Sequence, residues 1–101
     1  MNLKLNVKQR HLNMLYDIFN SYCPKAEIWA FGSRLTDNYH DGSDLDLVIK
    51  SFNDDTKQLY ELKELINDSN IPFLTDILEF EKVPDYFQEN ILKKYIKIYP
   101  L

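Results

Sequence analysis

The sequence predicts a small α/β (α+β) domain, in which helices flank a mixed β-sheet. Three observations support this class. Segments with helical spacing of apolar residues alternate with short apolar runs, and one of these runs is apolar on both faces, as in a central strand. The third observation is the length of 101 residues with 45% hydrophobic content, which suffices for one core, so we expect a single domain over residues 1–101.

The first half of the chain predicts one helix and two strands. Apolar residues at helical spacing, ended by Pro24, predict a helix over residues 7–22. The run EIWAF, residues 27–31, follows as a central strand, and DLDLVI, residues 44–49, as a second strand. The residues that carry this pattern are Leu12, Leu15, Phe19 and Tyr22 on the helix, and Leu45, Leu47 and Ile49 on one face of the second strand.

The second half predicts a helix, a strand and a last helix. Asp54 and Asp55 lie near the start of the first of these helices, where the helix dipole favours acids, and FLTDILEF after Pro72 is the third strand. Pro84 opens the last helix, and the closing KIYPL receives no element. The apolar positions of the two helices are Leu59, Leu62, Leu65 and Ile66, and then Phe87, Ile91 and Tyr95.

Composition narrows the function classes. A formal net charge of -4 and a pI near 5.0 argue against a chain that grips long nucleic acid through its phosphates. The single cysteine, Cys23, excludes an internal disulfide and has no CxxC partner, so we expect it to be structural. No apolar run approaches a membrane span or a secretory signal, and we therefore expect a cytoplasmic protein without a membrane partner.

Two aspartates stand inside the second predicted strand. Asp44 and Asp46 share one strand face, about 6.5 Å apart along the backbone. An isolated D-x-D often marks a solvated strand edge, but the apolar neighbours here predict a central strand, where two like charges are costly unless a cation offsets them. Such an oxygen pair suits Mg²⁺. A calcium loop starting at Asp37 fails, because Tyr39 and Val48 stand where ligands are needed.

A Gly-Ser pair follows the first strand and predicts a phosphate site. Gly32 lets the backbone approach closely, and Ser33 stands where a short helix begins, a place that attracts phosphate. Arg34 is near enough to reach a phosphate, with a surface role as the alternative, and we assign Ser43 to the same nucleotide site. Since Gly-Ser and D-x-D then lie at the tips of adjacent strands, the sequence predicts a metal-nucleotide site.

The stretch GSRLTDNYHDGSDLDLVI resembles the G-S-x(10)-D-x-D signature of the nucleotidyltransferase superfamily that includes polymerase beta, and specifically its minimal nucleotidyltransferase domains. The resemblance implies that fold, with Gly32 and Ser33 on the triphosphate and Asp44 and Asp46 on the metal ions. It also implies a third carboxylate from the following strand, a position that Asp76 fits. Asp76 would then bind a metal and help to remove a proton from an attacking hydroxyl. The chain departs from many members at Asp37, where they carry a glycine.

The resemblance further implies a partner and a reaction, because these domains are typically encoded with a HEPN-domain protein as antitoxin and toxin. We expect Mg-dependent transfer of AMP from ATP to a hydroxyl, a tyrosine, of a HEPN-type toxin held in a hetero-oligomer. Two alternatives stay open. One is a small-molecule nucleotidyltransferase completed by a separate helical subunit, and the other is an antitoxin that acts by binding alone.

Overall fold

The computed structural model describes residues 4–36 and 43–101. Asp37, where the chain departs from the family pattern, lies outside these residues. The elements run, in chain order, α1 (Gln9–Tyr22), β1 (Glu27–Phe31), β2 (Leu45–Ser51), α2 (Leu59–Asn67), β3 (Thr75–Glu79), α3 (Asp85–Lys93) and β4 (Ile96–Tyr99). Short 3₁₀ turns follow β1, at Ser33–Leu35, and β3, at Phe80–Lys82.

The strands form one mixed sheet in the order β3-β2-β1-β4. β2 pairs with β1 antiparallel and with β3 parallel, and β1 pairs antiparallel with β4. Both strands predicted to be central therefore lie inside the sheet. The predicted fold class, a small mixed sheet with flanking helices, is confirmed.

The fourth strand corrects the sequence-based prediction. Residues 96–99, which overlap the KIYPL segment that received no element, pair with β1, and Ala30 lies opposite Ile96. α3 ends at Lys93, so Tyr95 is not on the helix as predicted. Its ring stacks on Trp29 of β1 with 4.2 Å between centroids, which places Tyr95 against the sheet. Pairing with a distant strand, rather than local pattern, determines the conformation of this segment.

The two faces of the sheet carry cores of different size. We call the larger cluster, on the face covered by α1 and α2, the main core, and the smaller, on the face covered by α3, the minor core. The minor core consists of Trp29, Val48, Phe80 and Ile91. The main core includes Leu15, Phe19, Ile28, Leu47, Leu62 and Ile77, each fully buried.

The start and outer face of α2 differ from the prediction. The helix begins at Leu59, so Asp54 and Asp55 precede its first turn. Asp54 Oδ1 instead accepts hydrogen bonds from the backbone N–H of Thr56 (3.0 Å) and from its hydroxyl (2.7 Å), and these bonds lower the pKa of Asp54. Leu65 was predicted on the apolar face but is 43% exposed.

The helices are short, with 14 residues in α1 and nine each in α2 and α3. Within the described part of the chain, none combines the length and the apolar character that a membrane crossing requires.

Candidate active site

The backbone turns sharply where β1 ends. Gly32 has φ 84° and ψ -157°, a conformation that is essentially restricted to glycine. Ser33 then starts the 3₁₀ turn, in which Leu35 N–H donates to the Gly32 carbonyl (3.1 Å) and Thr36 N–H to the Ser33 carbonyl (3.0 Å). The prediction that a short helical segment begins at Ser33 is confirmed, and both Gly32 and Ser33 are exposed to solvent.

The absent side chain of Gly32 makes room for Asp46. A Cβ at position 32 would overlap the Oδ2 atom of Asp46 and would lie 3.0 Å from its Cγ. The carboxylate therefore packs directly over the glycine backbone. This contact joins the two halves of the sequence signature, since it holds the Gly-Ser turn against the strand that carries the aspartates.

The sheet brings the three predicted carboxylates to one edge and one face. Asp46 on β2 lies opposite Phe31 of β1 and opposite Asp76 of β3, and partners in register point to the same side. Neighbouring strands are about 4.8 Å apart, so Asp46 and Asp76 are close. Asp44 immediately precedes β2, which begins at Leu45. Asp44 and Asp76 are exposed, whereas Asp46 is partly buried.

The charges of this group act on Asp46. Partial burial, followed by the neighbouring charges of Asp76 and Asp44, raises the pKa of Asp46. Each cause opposes the ionised form of this carboxyl group. A cation placed among the three groups would reverse the effect of the two neighbours, so the site favours positive charge.

The three carboxylates fit a Mg²⁺ site that the substrate phosphates complete. Within residues 4–36 and 43–101, no three His, Cys, Asp or Glu side chains form a ready-made metal cluster. Mg²⁺ usually takes only one or two carboxylates and completes its shell with water and substrate phosphates. Asp46, with Asp44 and Asp76 beside it, supplies oxygen ligands of the right kind, and a bound triphosphate would supply the rest.

Arg34 has protein partners that the sequence did not reveal. It is 4% exposed, and its guanidinium donates to the carbonyl of Ser43 (2.8 and 3.1 Å) and to the carbonyl of Asn6 (2.9 Å). The same group lies 4.3 Å from the ring centroid of Phe73. Arg34 thus ties together the segments that lead into β2 and β3. Phosphate binding by Arg34 and nucleotide contact by Ser43 stay predictions.

A cavity of about 520 Å³ opens directly beside Gly32 and Ser33. α3 contributes Phe87 and Asn90 to its wall, and Lys94, the residue after the helix, contributes a third side chain. Sequence reasoning missed Asn90 and Lys94, although the three-residue spacing of Phe87 and Asn90 places these two on one helix face. The volume is within the usual range of small-ligand sites.

Comparison with known proteins agrees with this geometry. Residues 13–100 match the family model described as "Polymerase beta, Nucleotidyltransferase". The chain is also similar to a Haemophilus influenzae protein named "Probable protein adenylyltransferase MntA", with 33% identity over 96 residues, which cover 94% of this chain and 84% of that protein. The resemblance drawn from the sequence is confirmed. The chain belongs to the polymerase beta nucleotidyltransferase family, as a minimal nucleotidyltransferase domain, and it is a nucleotidyltransferase.

Proposed function

We propose that this protein is a cytoplasmic, Mg-dependent antitoxin that transfers AMP from ATP to a tyrosine hydroxyl of a HEPN-type toxin and so neutralises it. The observation that carries the proposal is the contact between Gly32 and Asp46, which joins a phosphate-binding turn to a group of three carboxylates. The similarity to a protein named as an adenylyltransferase supports AMP as the transferred group.

The nucleotide is assigned to the space between the Gly-Ser turn and α3. The exposed backbone of Gly32 and Ser33 receives the triphosphate, because backbone N–H groups at the start of a helical turn attract phosphate. The neighbouring cavity then takes the nucleoside. There Phe31 and Phe87 pack edge to face at 6.1 Å and give an apolar wall, and Asn90 and Lys94 offer polar groups.

The chemistry is an in-line displacement at the α-phosphorus. The acceptor oxygen forms a bond to the α-phosphorus, the bond from this phosphorus to the bridging oxygen of the β-phosphate breaks, and pyrophosphate leaves. Asp76 is exposed at the sheet edge, and we assign to it the removal of the hydroxyl proton. Mg²⁺, held by Asp44 and Asp46 with Asp76, would supply charge neutralisation for the triphosphate.

A protein acceptor fits the exposed surface around the carboxylates. Leu74, two residues before Asp76, is 71% exposed. Large exposed apolar side chains beside a reactive group favour an acceptor that brings its own docking surface. A tyrosine on such a partner would approach the carboxylates from solvent, and its modified form would carry added bulk and negative charge.

The test is the mass of the partner. Incubation of the toxin with this protein, ATP and Mg²⁺ should increase the toxin mass by one or more adenylyl groups and release pyrophosphate. Asp44→Ala, Asp46→Ala and Asp76→Ala should each abolish the increase. Asp17→Ala, at an exposed position on α1, is the matched control and should retain full transfer.

Two results would contradict the proposal. If the toxin mass stays unchanged while the parent and all three site variants still neutralise the toxin, the protein acts by binding alone. If the protein instead transfers AMP to a small hydroxylated acceptor in the presence of a helical subunit that itself stays unmodified, the acceptor class is wrong.

A further inference from the structure

A second cavity, of about 530 Å³, lies beside the start of α1. Lys8, Arg10 and His11 at the start of α1 line it, together with Arg34 and Phe73. We call it the basic cavity. Phe73 packs against the main core, whereas the carboxylates share the face of the minor core, so Phe73 and the carboxylates lie on opposite faces of the sheet.

The lining charges of the basic cavity have one sign. Three of its described side chains are lysine or arginine, and none is acidic, although the chain as a whole has a net charge of -4. α1 also begins without an acidic residue in its first turn. The local charge is therefore opposite to that of the whole molecule, and concave walls concentrate such a field.

The walls of the basic cavity are held in place by their own contacts. Arg34 lies over the ring of Phe73 at 4.3 Å, and the ring of His11 meets the same phenyl group edge to face at 5.7 Å. Arg10 Nε donates to His11 Nε2 at 3.4 Å. Because Arg34 is buried and bonded to the carbonyls of Ser43 and Asn6, its charge is fixed beside the cavity rather than free to move into solvent.

We infer that the basic cavity binds the phosphate of a nucleotide, at a second site that is separate from the transfer site. The cations come from two segments, the start of α1 and the turn after β1, and converge on one concavity. This arrangement suits a compact group with two charges better than the single carboxylates of an extended acidic peptide. The cavity has the volume of a small-ligand site. The rings of His11 and Phe73 add aromatic surface for a nucleobase. This inference does not depend on the proposed acceptor.

The probes are AMP, inorganic pyrophosphate and adenosine, titrated in low salt with EDTA and followed by calorimetry and by NMR of the His11 ring. AMP and pyrophosphate should bind, and adenosine, which lacks phosphate, should bind at least about tenfold more weakly. Desolvation, followed by the positive charges of Arg10, Lys8 and Arg34, lowers the pKa of His11. A bound anion beside the ring should raise this pKa.

Matched variants separate the two sites. Arg10→Gln combined with His11→Gln should weaken AMP binding by about tenfold, whereas Lys63→Gln, an exposed position on α2 outside the cavity, should leave it unchanged. Asp44→Asn combined with Asp46→Asn should remove nucleotide transfer and retain AMP binding in EDTA. The result for transfer and the result for the basic cavity are thus read from different variants.

Three outcomes would overturn the inference. The first is no binding of either AMP or pyrophosphate by the parent protein. The second is AMP binding that the Asp44 and Asp46 double variant loses and the Arg10 and His11 double variant keeps, which would assign the ligand to the transfer site. The third is binding of a glutamate-rich peptide, but not of AMP, to the parent, which would replace phosphate by protein carboxylates.

Discussion

The two faces of the sheet differ in how completely helices cover them. α1 and α2 cover the face of the main core, where Leu47 and Ile77 are fully buried. Among the residues that the structure describes, the other face is covered by α3, and its minor core contains four buried residues. The tips of β1, β2 and β3 on that second face stay accessible, and the three carboxylates lie there.

This difference has a physical reason. An ionised carboxylate inside the main core would lose its hydration without a partner, which is a large cost. On the thinly covered face, the exposed carboxylates of Asp44 and Asp76 stay hydrated, and the partly buried carboxylate of Asp46 loses only part of its hydration. The main core supplies stability, and the incomplete cover of the other face permits a charged site.

Truncation of one buried side chain on each face tests this comparison most strongly. Leu47→Ala in the main core should lower the free energy of unfolding by about 4 kcal/mol, and Ile91→Ala in the minor core by about 2 kcal/mol, because thinner packing relaxes more readily around a cavity. Urea unfolding measures both. Leu65→Ala on the exposed side of α2 is the control, and equal losses on the two faces would contradict the comparison.

The reactivity of the Cys23 thiol measures how well the main core excludes solvent and reagents. Burial raises the pKa of Cys23 to about 11, so little thiolate forms at pH 8. Alkylation of the native protein by iodoacetamide should be at least about a hundredfold slower than alkylation of the protein unfolded in urea. Mass spectrometry over time measures both rates, and similar rates would show that the main core opens readily.

Gly32→Ala tests the close contact on the thinly covered face. The substitution should lower the free energy of unfolding by about 2 kcal/mol, because the φ of 84° strains an L residue and the new Cβ overlaps the Asp46 carboxylate. Thermal unfolding measures the loss, with Ser33→Ala as the neighbouring control. Adding Asp46→Ala should restore part of the stability, and no restoration would show that backbone strain alone is responsible.

The smallest expected effect is a gain in stability from Asp46→Asn in metal-free buffer. Folding raises the pKa of Asp46, so its ionised form destabilises the folded state at neutral pH. At pH 7 the free energy of unfolding of the variant should be about 0.5 kcal/mol higher than that of the parent. The gain is small because solvent screens the partly exposed group. The parent should approach the variant as the pH falls through the raised pKa, since protonation removes the same charge.

Asp17→Asn, an exposed change on α1, is the control for this experiment and should give no such gain. A loss of stability in Asp46→Asn, measured by denaturant unfolding across the same pH range, would instead indicate a structural role for the carboxylate.

Local sequence information predicted the elements that local physics determines. β2 and its aspartates follow from a short apolar run that alternates with acids at its start, and the Gly-Ser turn follows from the conformational freedom of glycine. β4 could not be predicted in this way, because its four residues are a strand only through pairing with β1. Its pattern is too short to distinguish from the end of a helix, which is why Tyr95 was assigned to α3.

The site shows the same limit. The register of β2 and β3 places Asp46 opposite Asp76, as the family signature implied. The partners of Arg34, however, come from the segment before α1 and from the segment before β3, and no local motif indicates that Asn6 and Phe73 meet there. Likewise, only the packing of α3 against β1 brings Asn90 and Lys94 beside Gly32.

The order of the strands also affects how the protein is made. During synthesis, β1 leaves the ribosome early, but its partner β4 follows only after α2, β3 and α3. Until then, one edge of β1 has unpaired backbone groups and is open to pairing with other chains. Such long-range pairing raises the contact order and slows folding. A nascent chain therefore acquires the β1–β4 pairing of its sheet only when residues 96–99 have emerged.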